Sequence, residues 1–180
     1  MLRRLLARLR PGDDCDALYR SIVAQARQPA FYGGDGVPDT PEGRFELLVL
    51  HAALIMRRLR RDGAAGRDLA QALFDLMFRN LDGNLREMGV YDLVVPRRIR
   101  RMGEAFYGRA GAYDAGLDAA DDALLADALA RNLYDGRAGA ERLRAMVGYV
   151  RDCDRALAAT GLASLAAGEP GWPPVPGGYA

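Results

Sequence analysis

Lysine is missing from this 180-residue chain, in which all 25 basic residues are arginine. Asp and Glu number 24, leaving a formal net charge of +1, so the basic excess of a dedicated nucleic-acid binder is lacking too. Together with the abundance of Ala and Gly, arginine-only usage matches a GC-rich genome. Histidine occurs once, at His51, and cysteine twice, at Cys15 and Cys153. One histidine and two distant cysteines make no zinc spacing and no haem attachment, so no metal ligand is assigned. The two thiols are read as buried side chains in a reducing compartment. No glycine-rich phosphate loop precedes a helix, and neither Ser21 nor Ser164 has a histidine at a recognisable spacing. No catalytic residue and no cofactor are therefore expected. Apolar runs fall short of the roughly 18 residues of a membrane span. The opening "MLRRLLARLR" is no secretory signal, because Arg8 and Arg10 break its apolar run. "VYDLVV" is the only β-like stretch, and it is too short and isolated for a sheet. It is read as an extended connector.

What remains is helical periodicity. Leu2, Leu5, Leu6 and Leu9 fall on one face of the first segment and Arg3, Arg4, Arg8 and Arg10 largely on the other. That pattern either folds on a lipid surface or packs on the body. Asp13 or Asp14 can cap a helix with the stripe Leu18, Ile22, Val23 and Ala26. The loop "PAFYGGDGVPDTP" leads to Thr40, an N-cap, and Pro41, well placed at a first helical position. From Pro41 to about Arg61 apolar residues leave only a thin polar strip, the pattern of a central, nearly enclosed helix. His51 lies on it and is read as a hydrogen-bonded core residue rather than a ligand. A helix follows from Arg67 to Met88, stopped by Gly89. Another, opened by Pro96, frays around Gly108 and Gly111. Next comes one with the stripe Leu124, Leu125, Ala128, Leu129 and Leu133, and a last long one from Ala140 to Ala159. The Pro/Gly-rich tail is either loose or laid across the body, anchored by Trp172. The expectation is a single all-α domain of six or seven helices. Residues 1–12 form a basic amphipathic segment, 13–167 the helical domain and 168–180 the tail.

Carboxylate pairs invite a metal reading. Asp118, Asp121 and Asp122 in "DAADD", however, sit where a first helical turn welcomes negative charge. A divalent-metal prenyl-transfer enzyme would need a second, facing aspartate motif, and none is found. The surface feature that stands out is "VPRRIRRMGEAFYGR", with five arginines between Val95 and Arg109 and nothing acidic before Glu104. Ile99, Met102 and Phe106 make its core stripe; Arg97, Arg98, Arg101 and Arg109 fall mostly outside it. Arginine suits bidentate gripping of carboxylate or phosphate. The run is either a solvated face or a surface for an anionic partner.

"LYRSIVAQARQPAFY", "GVPDTPEGRFELLVLHAALIMRRL" and "LREMGVYDLVVPRRIRRMGEAFYGR", in this order, resemble the ubiquinol–cytochrome c chaperone family over roughly residues 18–117. The resemblance implies an all-helical, non-catalytic assembly factor for respiratory complex III. Its partner would be cytochrome b or an assembly intermediate, with a small helper protein as a further partner. Partner contact is then expected at Arg97, Arg98, Arg101, Phe106, Tyr107 and Arg109, with Tyr32 and Asp39 in the loop. The pattern begins almost at the first residue, without a long transit extension. That implies a bacterial member in the cytoplasm, peripheral at the inner face of the membrane, which residues 1–10 would touch. The alternative is a ribosome- or nucleic-acid-binding helical module using the same arginines.

Overall fold

The computed structural model describes residues 13–176. The amphipathic segment Met1–Arg10 lies outside the described residues. Within them the protein is all-helical, with no strand. The helices are α1 (Asp13–Ala26), α2 (Pro41–Leu59), α3 (Gly63–Glu87), α4 (Val95–Asp118), α5 (Ala123–Tyr134), α6 (Ala140–Ala159) and the short α7 (Leu162–Ala166). Single 3-10 turns at Pro29–Phe31 and Arg60–Asp62 precede α2 and α3. None of these helices is long and apolar enough to cross a membrane.

The central helix is α2. Every residue from Glu46 to Ile55 is buried, as its near-continuous apolar surface demands. Its start is set as expected: Thr40 is extended, its Oγ1 accepts from Gly43 N–H at 3.1 Å, and Pro41 occupies the first turn. Thr40→Ala is expected to lower unfolding stability by about 1 kcal/mol, read as a shifted denaturant midpoint at unchanged slope. An unshifted midpoint would remove the cap from the account.

His51 is fully buried at the middle of α2. Its Nδ1 lies 2.7 Å from Leu47 O and its Nε2 2.7 Å from Tyr149 Oη. A carbonyl only accepts, so Nδ1 carries the proton and Nε2 accepts from the Tyr149 hydroxyl. That oxygen in turn accepts from Gln25 Nε2–H at 2.8 Å, so one buried chain of hydrogen bonds joins α1, α2 and α6. The tail closes this cluster. Trp172 stands edge-on to His51 at 5.2 Å between centroids, and its indole N–H donates to Ser21 Oγ at 3.3 Å. Of the two readings of the tail, the one laid across the body is observed up to residue 176.

Burial lowers the His51 pKa from 6.5 to about 4, against a smaller opposing effect of the Leu47 hydrogen bond. Between those values the unfolded chain binds a proton that the folded chain refuses, so folding stability falls as pH drops through that window. The expected loss from this residue is about 2 kcal/mol between pH 7 and pH 5. Chemical denaturation at the two pH values should show it, and His51→Gln should flatten the difference. An equally steep dependence in His51→Gln would assign it to other groups.

Four sequence expectations are corrected. The helix expected to begin at Arg67 begins at Gly63, continuing directly from the 3-10 turn. "VYDLVV" is not extended: Gly89 closes α3 at φ 78°, and Val94 N–H bonds Tyr91 O at 2.8 Å in the turn that starts α4. Nor does α4 fray at Gly108 and Gly111; it runs unbroken to Asp118. Each exposed glycine costs a helix about 1 kcal/mol, but Phe106, Tyr113 and Leu117 hold the other face in the core. Leu124, placed in the stripe of α5, is 56% exposed, while Leu125, Ala128, Leu129 and Leu133 face inward. The stripe begins one residue later because a Cβ at Gly116 would stand only 2.6 Å from Leu125 Cα. This close crossing of α4 and α5 turns Leu125 to the core.

Candidate partner-binding surface

The arginine helix α4 is fixed to the body by its inner face. Phe106 stacks edge-on to Phe74 at 5.5 Å, and Phe78 lies 4.4 Å from Phe74. These rings lock α3 against α4. One turn on, Arg109 makes a two-pronged ion pair with Glu46 of the central helix. Burial raises the Glu46 pKa, and the guanidinium works against that rise. Farther along, Arg57 of α2 bonds Asp114 at 3.3 Å and Asp118 at 2.6 Å on α4, and Asp154 at 3.0 Å on α6. Arg57 thereby ties three helices at one point.

The acidic run around Asp118 is accounted for in the same way. Arg57 holds the Asp118 carboxyl below its usual pKa, Asp121 Oδ1 accepts from Ala123 N–H at 3.0 Å, and Asp122 pairs with Arg151 at 2.8 Å. Among the described residues no group of three or more His, Cys, Asp or Glu is placed to hold a metal ion.

With α4 so oriented, its outer face carries Arg97, Arg98, Arg100 and Arg101, all exposed. Arg100 pairs with Glu104 at 2.9 Å. Arg97, Arg98 and Arg101 make no ion pair among the described residues. Tyr107 is 65% exposed, yet its ring leans on Phe74 at 5.4 Å, so it is pre-set rather than loose. The eight residues expected to touch a partner therefore divide. Arg97, Arg98, Arg101 and Tyr107 make up the exposed surface, the arginines near the start of α4 and Tyr107 about two turns beyond Arg101, beside Phe74. Phe106, 2% exposed, and Arg109, bound to Glu46, point inward and position that surface. Tyr32 and Asp39 stand apart, before α2. Tyr32 O–H donates to Ala26 O at 2.7 Å, and Asp39 pairs with Arg44 at 2.6 Å. Neither shares a hydrogen bond or ion pair with α4 among the described residues.

A family model described as ubiquinol–cytochrome C chaperone matches residues 35–172, a span that holds the Thr40 cap, the arginine helix and Trp172. The chain belongs to the ubiquinol–cytochrome c chaperone family. The crystal structure of the Cbp3 homolog from Brucella abortus has the same fold, with a TM-score of 0.83 at 38% identity over 97% of this chain and 98% of that one. The ubiquinol-cytochrome-c reductase complex assembly factor 1 of Xenopus laevis is 29% identical over 135 residues, covering 74% of this chain and 67% of the frog protein. The Homo sapiens protein of that name is 28% identical over 160 residues, covering 88% of this chain and 53% of the human protein. This family is that of complex III assembly chaperones.

One element of this chaperone's surface escaped the sequence reading. Met88, Tyr91, Leu93 and Val94 stand exposed in the turn between α3 and α4, beside Arg97 and Arg98. Its signal was present as an apolar run without helical or strand periodicity between two amphipathic helices. Such a run marks side chains with no internal face to occupy.

Proposed function

We propose that this chain is a non-catalytic chaperone of complex III assembly that holds cytochrome b, or an intermediate containing it, against the outer face of α4. The observation that carries this reading is the set of Arg97, Arg98, Arg101 and Tyr107, each exposed along a helix that is anchored by its buried side. Guanidinium groups without internal partners can grip acidic segments of a client bidentately. A tyrosine already braced by Phe74 adds contact area with little further loss of freedom. Phe106 and Arg109 contribute by positioning. Tyr32 and Asp39, away from this face, suit a second contact such as a small helper protein. The working location is the inner face of a bacterial cytoplasmic membrane, where such a client is inserted.

The test is a photo-crosslinking amino acid placed at Tyr107 in cells assembling complex III. Recovery of cytochrome b in the cross-linked product supports the reading. Recovery of a different complex III subunit would replace the client. A deletion strain with normal complex III would end the assembly role for this chain. Salt-sensitive RNA binding by the purified protein in that case would favour the nucleic-acid alternative, against which the balanced net charge stands.

A further inference from the structure

The α3–α4 turn is a projection rather than a groove. Beyond Met77 no residue of α3 is buried, and in the returning chain only Val95 is buried before Phe106. Phe78 and Leu81 still pack partly buried on the core, so it is the last six residues of α3 that carry the turn past it, about 9 Å of helix. At its end Leu93 is 96% exposed and Tyr91 83%, with Met88 and Val94 beside them. Among the described residues this apolar cluster on a convex tip has no face to pack against.

Charge stands directly behind the tip. Arg97 and Arg98 lie at the start of α4, where the helix dipole is itself positive. That first turn has no acidic residue and no side-chain cap, and neither guanidinium group makes an ion pair among the described residues. Nearby acids are otherwise engaged: Asp82 and Asp92 with Arg86, and Glu104 with Arg100. Glu87 is the one carboxylate of this end without an ion pair among the described residues.

We propose that this hairpin end docks on an anionic lipid bilayer, with Leu93, Tyr91 and Met88 entering the interface and Arg97 and Arg98 meeting lipid phosphates. Apolar tips with an arginine collar match the layering of a bilayer surface, hydrocarbon beyond and phosphate in front. Tyrosine is at home between the two. A protein partner would instead have to offer a pocket for a knob and acids around its rim. Arg97 and Arg98 would serve both surfaces, but Leu93 belongs to the tip alone and Tyr107 to the client surface alone, so Leu93→Asp on vesicles and the cross-link at Tyr107 test the two assignments separately.

The experiment uses the full chain carrying Leu93→Cys labelled with an environment-sensitive fluorophore; both native cysteines are buried. A label at the exposed Asp127→Cys on α5 serves as control. Protein-free vesicles of phosphatidylcholine, with and without phosphatidylglycerol, are the probes. The expected result is a blue shift at position 93 on the anionic vesicles, absent at position 127 and reversed by salt. In sedimentation, Leu93→Asp should lower partition at least about tenfold, and Arg97→Gln and Arg98→Gln about fivefold each. A label that responds only to native membranes would assign the tip to a protein and overturn the proposal. So would Leu93→Asp sedimenting like the unaltered chain, which would leave lipid contact to another segment such as Met1–Arg10.

Discussion

Arg97→Glu combined with Arg101→Glu is expected to reduce complex III to the level of a deletion strain while leaving the stability of the chaperone nearly unchanged. The two effects separate because the side chains are exposed and make no ion pair among the described residues. Nothing internal is lost when they change. At Arg97 the replacement is favourable: a glutamate in the first turn of α4 meets the positive helix end, worth about 0.3–1 kcal/mol. At Arg101 a glutamate three residues before Glu104 adds a small repulsion of a few tenths of a kcal/mol. The free energy of unfolding in urea should thus change by less than about 1 kcal/mol in either direction. Complex III is read from the assembled complex in membranes at matched chaperone level. Normal assembly in the double variant would return the run to a solvated face. A large stability loss would mean that these arginines support the fold.

Phe106→Ala should do the opposite. This ring is enclosed by Phe74, Phe78 and Tyr107 at the seam of α3 and α4. Emptying such a site costs about 3–5 kcal/mol, transfer and cavity effects together. A domain of ordinary stability, about 5–15 kcal/mol, would keep little reserve after that loss. Thermal and chemical unfolding should both register it, and assembly should fail through low chaperone abundance. Phe106→Leu, which preserves most of the volume, should recover most of the stability and with it assembly. If Phe106→Ala were as stable as the unaltered chain yet failed in assembly, Phe106 would be a contact residue after all. The pair of predictions separates gripping from positioning within the same fifteen-residue run, Val95 to Arg109.

The tip adds a geometric condition. If the α3–α4 end rests on lipid, Tyr107 sits about three helical turns farther along α4, roughly 18 Å from Val95. A client segment leaving the membrane would meet the outer face of α4 within that distance.

Periodicity was enough to place the helices, because their one-sided apolar stripes have a single way to be buried. The enclosed α2, the Thr40 cap and the buried, hydrogen-bonded His51 were all legible for that reason. Local signals misled where packing outweighed them. Gly108 and Gly111 read as breaks, but three large side chains on the far face of α4 hold it continuous. "VYDLVV" read as extended, but the helices it joins pack side by side and force the chain to reverse within it. Spacing along the chain could gather Arg97, Arg98 and Arg101 into one cluster. It could not tell that Phe106 and Arg109 in the same run turn inward, because that depends on Glu46 and Phe74, 63 and 32 residues earlier. Nor could it choose between a loose tail and a bound one, which Ser21 and His51 decide by receiving Trp172. Helix formation answers to near neighbours and so can be read in order along the chain. Which arginine is bound and which is left to a partner depends on residues brought near only when the helices close on one another.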